Sequence, residues 1–414
     1  MRIHIKTFGC TANIADSFRM RQLLTADGHT FTDAEEFADM VLVNTCTVTQ
    51  TTQRNVLKYI HWVSGTGKQV IVAGCLAAAQ PDMLEGTDCE TLTPSSLEDI
   101  TVIAGNGGSQ TASKDSGYDM PLIEGVTGIV SISQGCVGQC SYCIVRQARG
   151  ELKSRPIPEI VREFRSLIAL GARELQLSSQ DIAAYGLDTG YRLPELLKEL
   201  TSIDGDHMIR VGMMNPFSVL DIVEEVADAF KDLHIFKFLH LPIQSGSDRV
   251  LESMNRKHTV DDFKHIVTVF RRRFPHIVLS TDFIAGYPTE TDEDFYATLK
   301  LLEDIEPQKV NITRYSPRPN TPAYLLYDMP DRKKKERSRL LTKSHHNVNR
   351  EMLQRKIGEQ TRILTNEAGK NNSTVGRDIY YNMVAVSENL PLGEWHNVTI
   401  VDSTITYLIG ELQK

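Results

Sequence analysis

Cys136, Cys140 and Cys143 stand in a CxxxCxxC spacing within Gln134-Gly135-Cys136-Val137-Gly138-Gln139-Cys140-Ser141-Tyr142-Cys143. Three thiolates this close repel one another unless a metal neutralises them. A structural zinc takes four protein ligands, and no histidine lies between His61 and His207 to complete the set nearby. Zinc therefore needs a remote fourth ligand. Buried free thiols suit such a spacing still less. An iron–sulfur cubane normally takes four thiolates, so three leave one iron with an open position, and an open position on a metal is where chemistry is done.

A second set is dispersed. Cys10, Cys46 and Cys75 each end an apolar, strand-like run (residues 3–8, 40–43 and 69–73), and each is followed by a helical stretch. Singly, a cysteine is more often a small buried hydrophobe than a ligand. Repeated strand–turn–helix units, however, predict a doubly wound parallel sheet, and such sheets gather ligands at the carboxyl ends of their strands. All three cysteines fall there, so they are expected to converge as the ligands of another cluster with an open iron. Cys89 lies outside both triplets and reads as a buried or incidental thiol.

The elements that must carry these residues alternate again in the middle of the chain. Strands are expected at 128–133, 174–178, 208–212, 236–241, 277–282 and 309–314. Amphipathic helices are expected at 157–170, 193–200, 219–230, 260–270 and 292–302. Six β/α units predict a partial (β/α)6 barrel with its active residues at the carboxyl ends of the strands. The clustered cysteines follow the first of them. From about residue 352, short strands at 361–365, 374–375, 383–386, 397–402 and 404–412 predict a small β-barrel of a kind that often handles nucleic acid. A Gly/Ser-rich stretch at 104–117 reads as a linker. The division is 1–103, a linker at 104–121, 122–351 and 352–414.

Bulk properties set limits. The 414 residues exceed one ordinary core. A net charge of −8 excludes a uniformly basic nucleic-acid binder, though not a local basic face. Arg332, Lys333, Lys334, Lys335, Arg337, Arg339 and Lys343, with Arg350, Arg355 and Lys356 beyond, read either as a solvated helix face or, beside a small β-barrel, as an RNA-backbone contact. No apolar run is long enough to cross a bilayer, and the first residues carry no signal-peptide pattern. Seven cysteines are too sparse for a secreted disulfide scaffold. These features point to the cytoplasm. Ser64-Gly65-Thr66-Gly67-Lys68 lacks the first glycine and final Ser or Thr of a phosphate-binding loop. His345 and His346 are expected to face solvent or RNA, and Arg271–Arg273 to complement a helix dipole.

CxxxCxxC with Tyr142 before the last cysteine resembles the radical S-adenosylmethionine (SAM) superfamily. The whole chain resembles its methylthiotransferase family, with an amino-terminal three-cysteine domain, a radical-SAM core and a carboxy-terminal TRAM domain. The matching stretches include Lys6-Thr7-Phe8-Gly9-Cys10-Thr11-Ala12-Asn13, Asn44-Thr45-Cys46 and Ala73-Gly74-Cys75. Others are Ser179-Gln180-Asp181, His240-Leu241-Pro242-Ile243-Gln244-Ser245-Gly246, Thr281-Asp282-Phe283-Ile284-Ala285-Gly286-Tyr287-Pro288 and Tyr315-Ser316-Pro317-Arg318-Pro319-Asn320-Thr321-Pro322. Among the family's branches, Gln147-Ala148-Arg149-Gly150 and Val211-Gly212-Met213-Met214-Asn215-Pro216 resemble the archaeal and eukaryotic one that acts on threonylcarbamoyladenosine in tRNA. The other branches act on isopentenyladenosine in tRNA and on an aspartate of a ribosomal protein.

That resemblance implies two [4Fe-4S] clusters and SAM as cofactors, the anticodon loop of tRNA as substrate, and an unidentified electron donor. One SAM methylates a sulfide at the amino-terminal cluster; another is cleaved at the Cys136/Cys140/Cys143 cluster to a 5′-deoxyadenosyl radical that opens C2 of the adenine. Tyr142, Gln180, Gln244, Ser245 and Ile284 are expected to bind SAM, although the polar ones can equally be structural residues of the barrel rim. Arg146 and Arg149 are expected at the threonylcarbamoyl carboxylate, with SAM binding or a structural ion pair as the alternative for Arg149. A zinc-dependent RNA-binding protein without catalysis is the reading from another class.

Overall fold

A computed structural model describes residues 1–105 and 123–413. The expected linker therefore lies, from residue 106 onward, outside the described residues; Ala104 itself ends the helix Ile100–Ala104.

The first hundred residues form a five-stranded parallel sheet in the order Thr30–Phe31, Arg2–Thr7, Met40–Thr45, Gln69–Gly74, Glu90–Leu92. Met40–Thr45 is buried at every position, as expected of a parallel strand covered on both faces. Met40 and Leu42 join one apolar cluster with Met20, Leu23 and Leu24 of the helix Thr11–Ala26. Val41 and Val43 join another with Val56, Ile60 and Val63 of the helix Gln50–Ser64. The sheet is thus doubly wound. Thr11–Ala26 also buries Asn13, Asp16 and Ser17, because it packs against the next unit as well as its own sheet.

Six parallel strands follow in chain order: Thr127–Ser131, Glu174–Ser178, Met208–Arg210, Phe238–His240, Val278–Ala285 and Lys309–Arg314. A bridge between Ile209 and Ile235 joins the two halves into an incomplete barrel. One apolar cluster runs through it and its covering helices. Two details differ from the sequence reading. The first strand stops at Ser131, and Ser133–Gln134 instead pairs antiparallel with Lys153–Ser154. The helix expected over 219–230 is split into Pro216–Leu220 and Val223–Ala229, with Asn215 capping the first by accepting from the Phe217 amide.

The long helix Asp331–Gln354 then leads to a closed barrel of Gln360–Ala368, Thr374–Arg377, Met383–Val386, Trp395–Ser403 and Leu408–Leu412. Its last strand starts at Leu408, four residues later than expected, because the Thr404 hydroxyl accepts from the amides of Thr406 and Tyr407 and holds a turn there. The basic run on the helix is only partly solvated. Lys334 is buried and bonds Asp328 at 2.7 Å, and Arg337 is buried against Glu290 and Asp292. His345, expected to face solvent or RNA, is buried and lies 3.3 Å from the Gln308 carbonyl. Among the described residues no helix is long and apolar enough to cross a membrane.

The carboxy-terminal barrel docks against the amino-terminal ends of the partial barrel's strands. Tyr381, at φ +65°, is buried between Phe236 and Phe238 and donates to Glu174 Oε1 at 2.5 Å. Lys309 Nζ lies 4.8 Å from the same ring; burial, with Arg377 and Arg210 close by, pushes its pKa down to about 7. Asn366 donates to the other oxygen of Glu174 at 2.6 Å. Tyr381→Ala removes a buried ring and leaves Glu174 short of a donor, so it should lower stability by about 3–5 kcal/mol. Chemical denaturation measures this, and a loss below about 1 kcal/mol would show that the contact is peripheral.

Candidate active site

The antiparallel pair Ser133–Gln134 and Lys153–Ser154 closes the neck of the loop that carries Cys136, Cys140 and Cys143. Gly135, at φ +83°, has no room for a side chain, since a Cβ would meet the Glu151 carbonyl oxygen at 1.9 Å. Its amide donates to Gln180 Oε1 at 2.7 Å. Further along, the Ser141 amide donates to the Met254 carbonyl, and its hydroxyl meets the Ser253 carbonyl and Tyr287. Donors point at the sulfurs: the Gly138 amide at Cys136 Sγ (3.2 Å) and Arg256 Nη1 at Cys140 Sγ (3.5 Å). Burial pushes Cys136 up to about 11 and Cys143 up to about 12, with neighbouring acidic groups adding to the rise. Deprotonating Cys136 and Cys143 here requires a strong positive partner, which iron supplies. The donor set fits a cluster.

The amino-terminal trio is assembled by a polar knot at the strand ends. Asn13 Nδ2 donates to Asn44 Oδ1 and the Thr45 carbonyl, and Asn44 Nδ2 returns to the Asn13 carbonyl and to Ser17 Oγ. Gly9 at φ +132° and Gly74 at φ +95° let the chain turn against this knot: a Cβ on the first would meet Asn13 at 2.5 Å, and on the second Asn44 at 2.4 Å. Cys10 then precedes one helix, its thiol directed to Asn13 Oδ1 at 3.4 Å, and Cys75 opens another. Cys46 and Cys75 are buried, Cys10 is exposed, and the three feel one another's charge. Burial pushes Cys46 up to about 11 and Cys75 upward. This set also fits a cationic cluster. Among the described residues no three His, Cys, Asp or Glu side chains stand together as a single metal ion would hold them.

One cavity of about 980 Å³ is lined by residues of both sets, Cys46 excepted. Cys10 and Cys75 line it from the amino-terminal sheet, and Cys136, Cys140 and Cys143 from the partial barrel. Tyr142, Gln180, Gln244, Ile284, Arg146 and Arg149 also line it. Gln244 does so with φ +77°. Ser245 is not among the lining residues; it is buried, with its hydroxyl 3.4 Å from Thr298 Oγ1, which is the structural alternative for that residue. Arg149 is buried and bonds Asp16 at 2.6 Å, the arrangement of the ion-pair alternative for that residue. Arg146 is part-exposed and pairs at 2.8 Å with the solvated Glu151. Cys89 is part-buried with Thr87 at 3.1 Å.

Sequence reasoning missed four groups. Arg256 lines the cavity, touches Cys140 and bonds the Pro242 carbonyl at 2.6 Å. Asp181 is buried in the wall, accepting from the Asn215 amide and Ser218; desolvation raises its pKa. Asp16 and Gln53 receive the core's arginines, Arg318 reaching Gln53 at 2.5 Å. Arg256 carried no signal, Asp181 stood inside the family-like stretch Ser179-Gln180-Asp181 without a role of its own, and the last two depend wholly on tertiary contact.

Three family models match the chain: "Radical SAM superfamily" over residues 130–302, "Uncharacterized protein family UPF0004" over 2–92 and "TRAM domain" over 354–413. A protein of Archaeoglobus fulgidus named "Probable threonylcarbamoyladenosine tRNA methylthiotransferase" is 40% identical over 423 residues, covering 100% of this chain and 99% of that protein. The Homo sapiens protein named "Threonylcarbamoyladenosine tRNA methylthiotransferase" is 34% identical, covering 99% of this chain and 74% of that protein. Among solved structures, the radical S-adenosylmethionine methyltransferase TsrM of Kitasatospora setae aligns with a TM-score of 0.57 at 15% identity. The alignment covers 89% of this chain and 79% of that one. At that identity the likeness concerns the fold alone.

Asp16→Ala would leave Arg149 buried without a counter-charge and should lower stability by about 3–5 kcal/mol. Replacing both residues by apolar ones should recover most of the loss. Denaturation of anaerobic protein reads both; an Asp16→Ala protein as stable as the parent would show that the pair holds nothing together.

Proposed function

The chain belongs to the threonylcarbamoyladenosine tRNA methylthiotransferase family, and on that premise we propose that it converts N6-threonylcarbamoyladenosine in tRNA to its 2-methylthio derivative. The observation that supports this reading is a cavity lined by Cys136, Cys140 and Cys143 together with Cys10 and Cys75 of the amino-terminal set, Cys46 being buried and outside the lining. A lone radical generator needs one open iron. Delivery of sulfur to the carbon that has lost its hydrogen needs a second site within reach of the same base. The hydrogen on C2 of adenine is not acidic enough for a protein base, so acid–base catalysis has no route to it.

Cys136, Cys140 and Cys143 would hold the [4Fe-4S] cluster that the radical SAM match implies, and that cluster with SAM supplies a 5′-deoxyadenosyl radical when bound. Arg256 and the Gly138 amide stabilise the thiolate charge there. Cys10, Cys46 and Cys75 would hold a second cluster that supplies the sulfur, screened by Arg149 and Arg318. Tyr142, Gln180, Gln244 and Ile284 are assigned to SAM because they line the cavity beside the first set. Arg146 is assigned to the threonylcarbamoyl carboxylate: its partner Glu151 is solvated, and an exposed pair of that kind is held only weakly. An external donor supplies the electron. The work divides as residues 1–103 for the sulfur site, 104–121 as linker, 122–351 for the radical and 352–414 for RNA. The setting is the cytoplasm.

Mass spectrometry of tRNA nucleosides after anaerobic reaction is the test, and the expected product is heavier by one methylthio group in place of hydrogen. Cys10→Ala should reduce bound iron by about half and abolish that product while 5′-deoxyadenosine still forms. A variant that keeps full iron and still makes product would remove the second cluster from the scheme. Arg146→Ala should lower kcat/KM on threonylcarbamoyl tRNA by about 10-fold or more. An equal loss on tRNA lacking the modification would remove Arg146 from recognition.

A further inference from the structure

Four consecutive apolar or aromatic residues, Tyr324, Leu325, Leu326 and Tyr327, face solvent where the sixth strand of the partial barrel returns to the long helix. Leu325 is 87% exposed and Tyr327 84%. A run of this kind costs solubility and is retained where a partner covers it. The segment is firmly held. The Thr321 amide and hydroxyl both donate to the Arg318 carbonyl, the Ala323 amide donates to the Ser141 carbonyl at 2.8 Å, and the Tyr315 hydroxyl donates to the Ala323 carbonyl at 2.9 Å. Ser141 belongs to the cysteine loop, and Pro322 lines the cavity. The exposed rings are therefore carried on a pinned backbone within two to five residues of the cavity wall.

We propose that Tyr324 and Tyr327 form a stacking platform for unpaired bases of the RNA loop next to the one that enters the cavity. This rests on the proposed function. A base that reacts inside the cavity must leave its stack, and its loop neighbours lose a stacking partner in doing so. Tyrosine faces carried a few residues from the cavity wall would replace that partner, as aromatic side chains do for single-stranded RNA generally. The helix that follows exposes Arg332 and Lys335 beside the acids Asp331 and Glu336, and then Arg339, Lys343 and Arg350, a basic excess that suits a polyanion better than an apolar protein surface.

The test is binding of anaerobic holoprotein to an anticodon stem–loop RNA carrying threonylcarbamoyladenosine, read by fluorescence anisotropy. Tyr327→Ala and Tyr324→Ala should each weaken binding by about 5- to 100-fold, the range that base–aromatic stacking spans. Tyr327→Phe should stay within about 3-fold of wild type, and iron content and absorption should match wild type in all variants. Tyr327→Leu binding as well as Tyr327→Phe would overturn stacking in favour of a plain apolar contact. Unchanged affinity in both alanine variants would overturn the platform and leave the patch to a protein partner, and a wild-type protein that binds no stem–loop would overturn it too. Should wild type bind RNA, with the tyrosines required, yet form no methylthio product, the platform stands and the proposed function fails.

Discussion

Sulfur can be inserted into a base only if the site that activates the carbon and the site that gives up sulfur face the same small volume. Here that requirement falls on the contacts between two units of the chain, an apolar cluster of Cys75, Ala79, Ile144 and Ala148 and two arginine bonds among them. Arg149 crosses from the partial barrel to Asp16, and Arg318 crosses to Gln53. Both arginines leave from the rim of the cavity, and their charge also reaches the thiols of Cys46 or Cys75. The same side chains therefore set the spacing of the two cysteine sets and temper the charge of one of them. A charge buried this deeply is costly unless paired, so the cost of misplacing either unit falls where the geometry matters most.

Much of this arrangement was legible in the residues. The six strands of the partial barrel announce themselves by short apolar runs between amphipathic helices, and the structure has them in the expected order within a few residues. The three strand-end cysteines could be brought together from topology alone, since parallel strands present their carboxyl ends on one side. Cys75 follows its strand directly, at the head of a helix.

What stayed hidden depended on partners distant in sequence. Lys334 and Arg337 read as part of a solvated basic stripe, yet their acidic partners include Asp328 and the distant Glu290, and both cations are buried. Arg256 looks like an ordinary cation after a helix until the fold sets it 3.5 Å from Cys140. Ser245 shares a motif with Gln244, but one residue of difference along the backbone turns its hydroxyl to Thr298. Charge and hydrogen-bonding capacity are visible in a sequence; the direction in which a side chain points is set by packing.

The carboxy-terminal barrel has a role that its size conceals. Glu174, Lys309 and Phe238, which sit low in the partial barrel, find part of their cover in Tyr381 and Asn366. The lower end of the partial barrel is thus capped by a different segment of chain. A minimal enzyme cut after the long helix would bare Glu174, Phe236 and Phe238 to water beneath the barrel's apolar core.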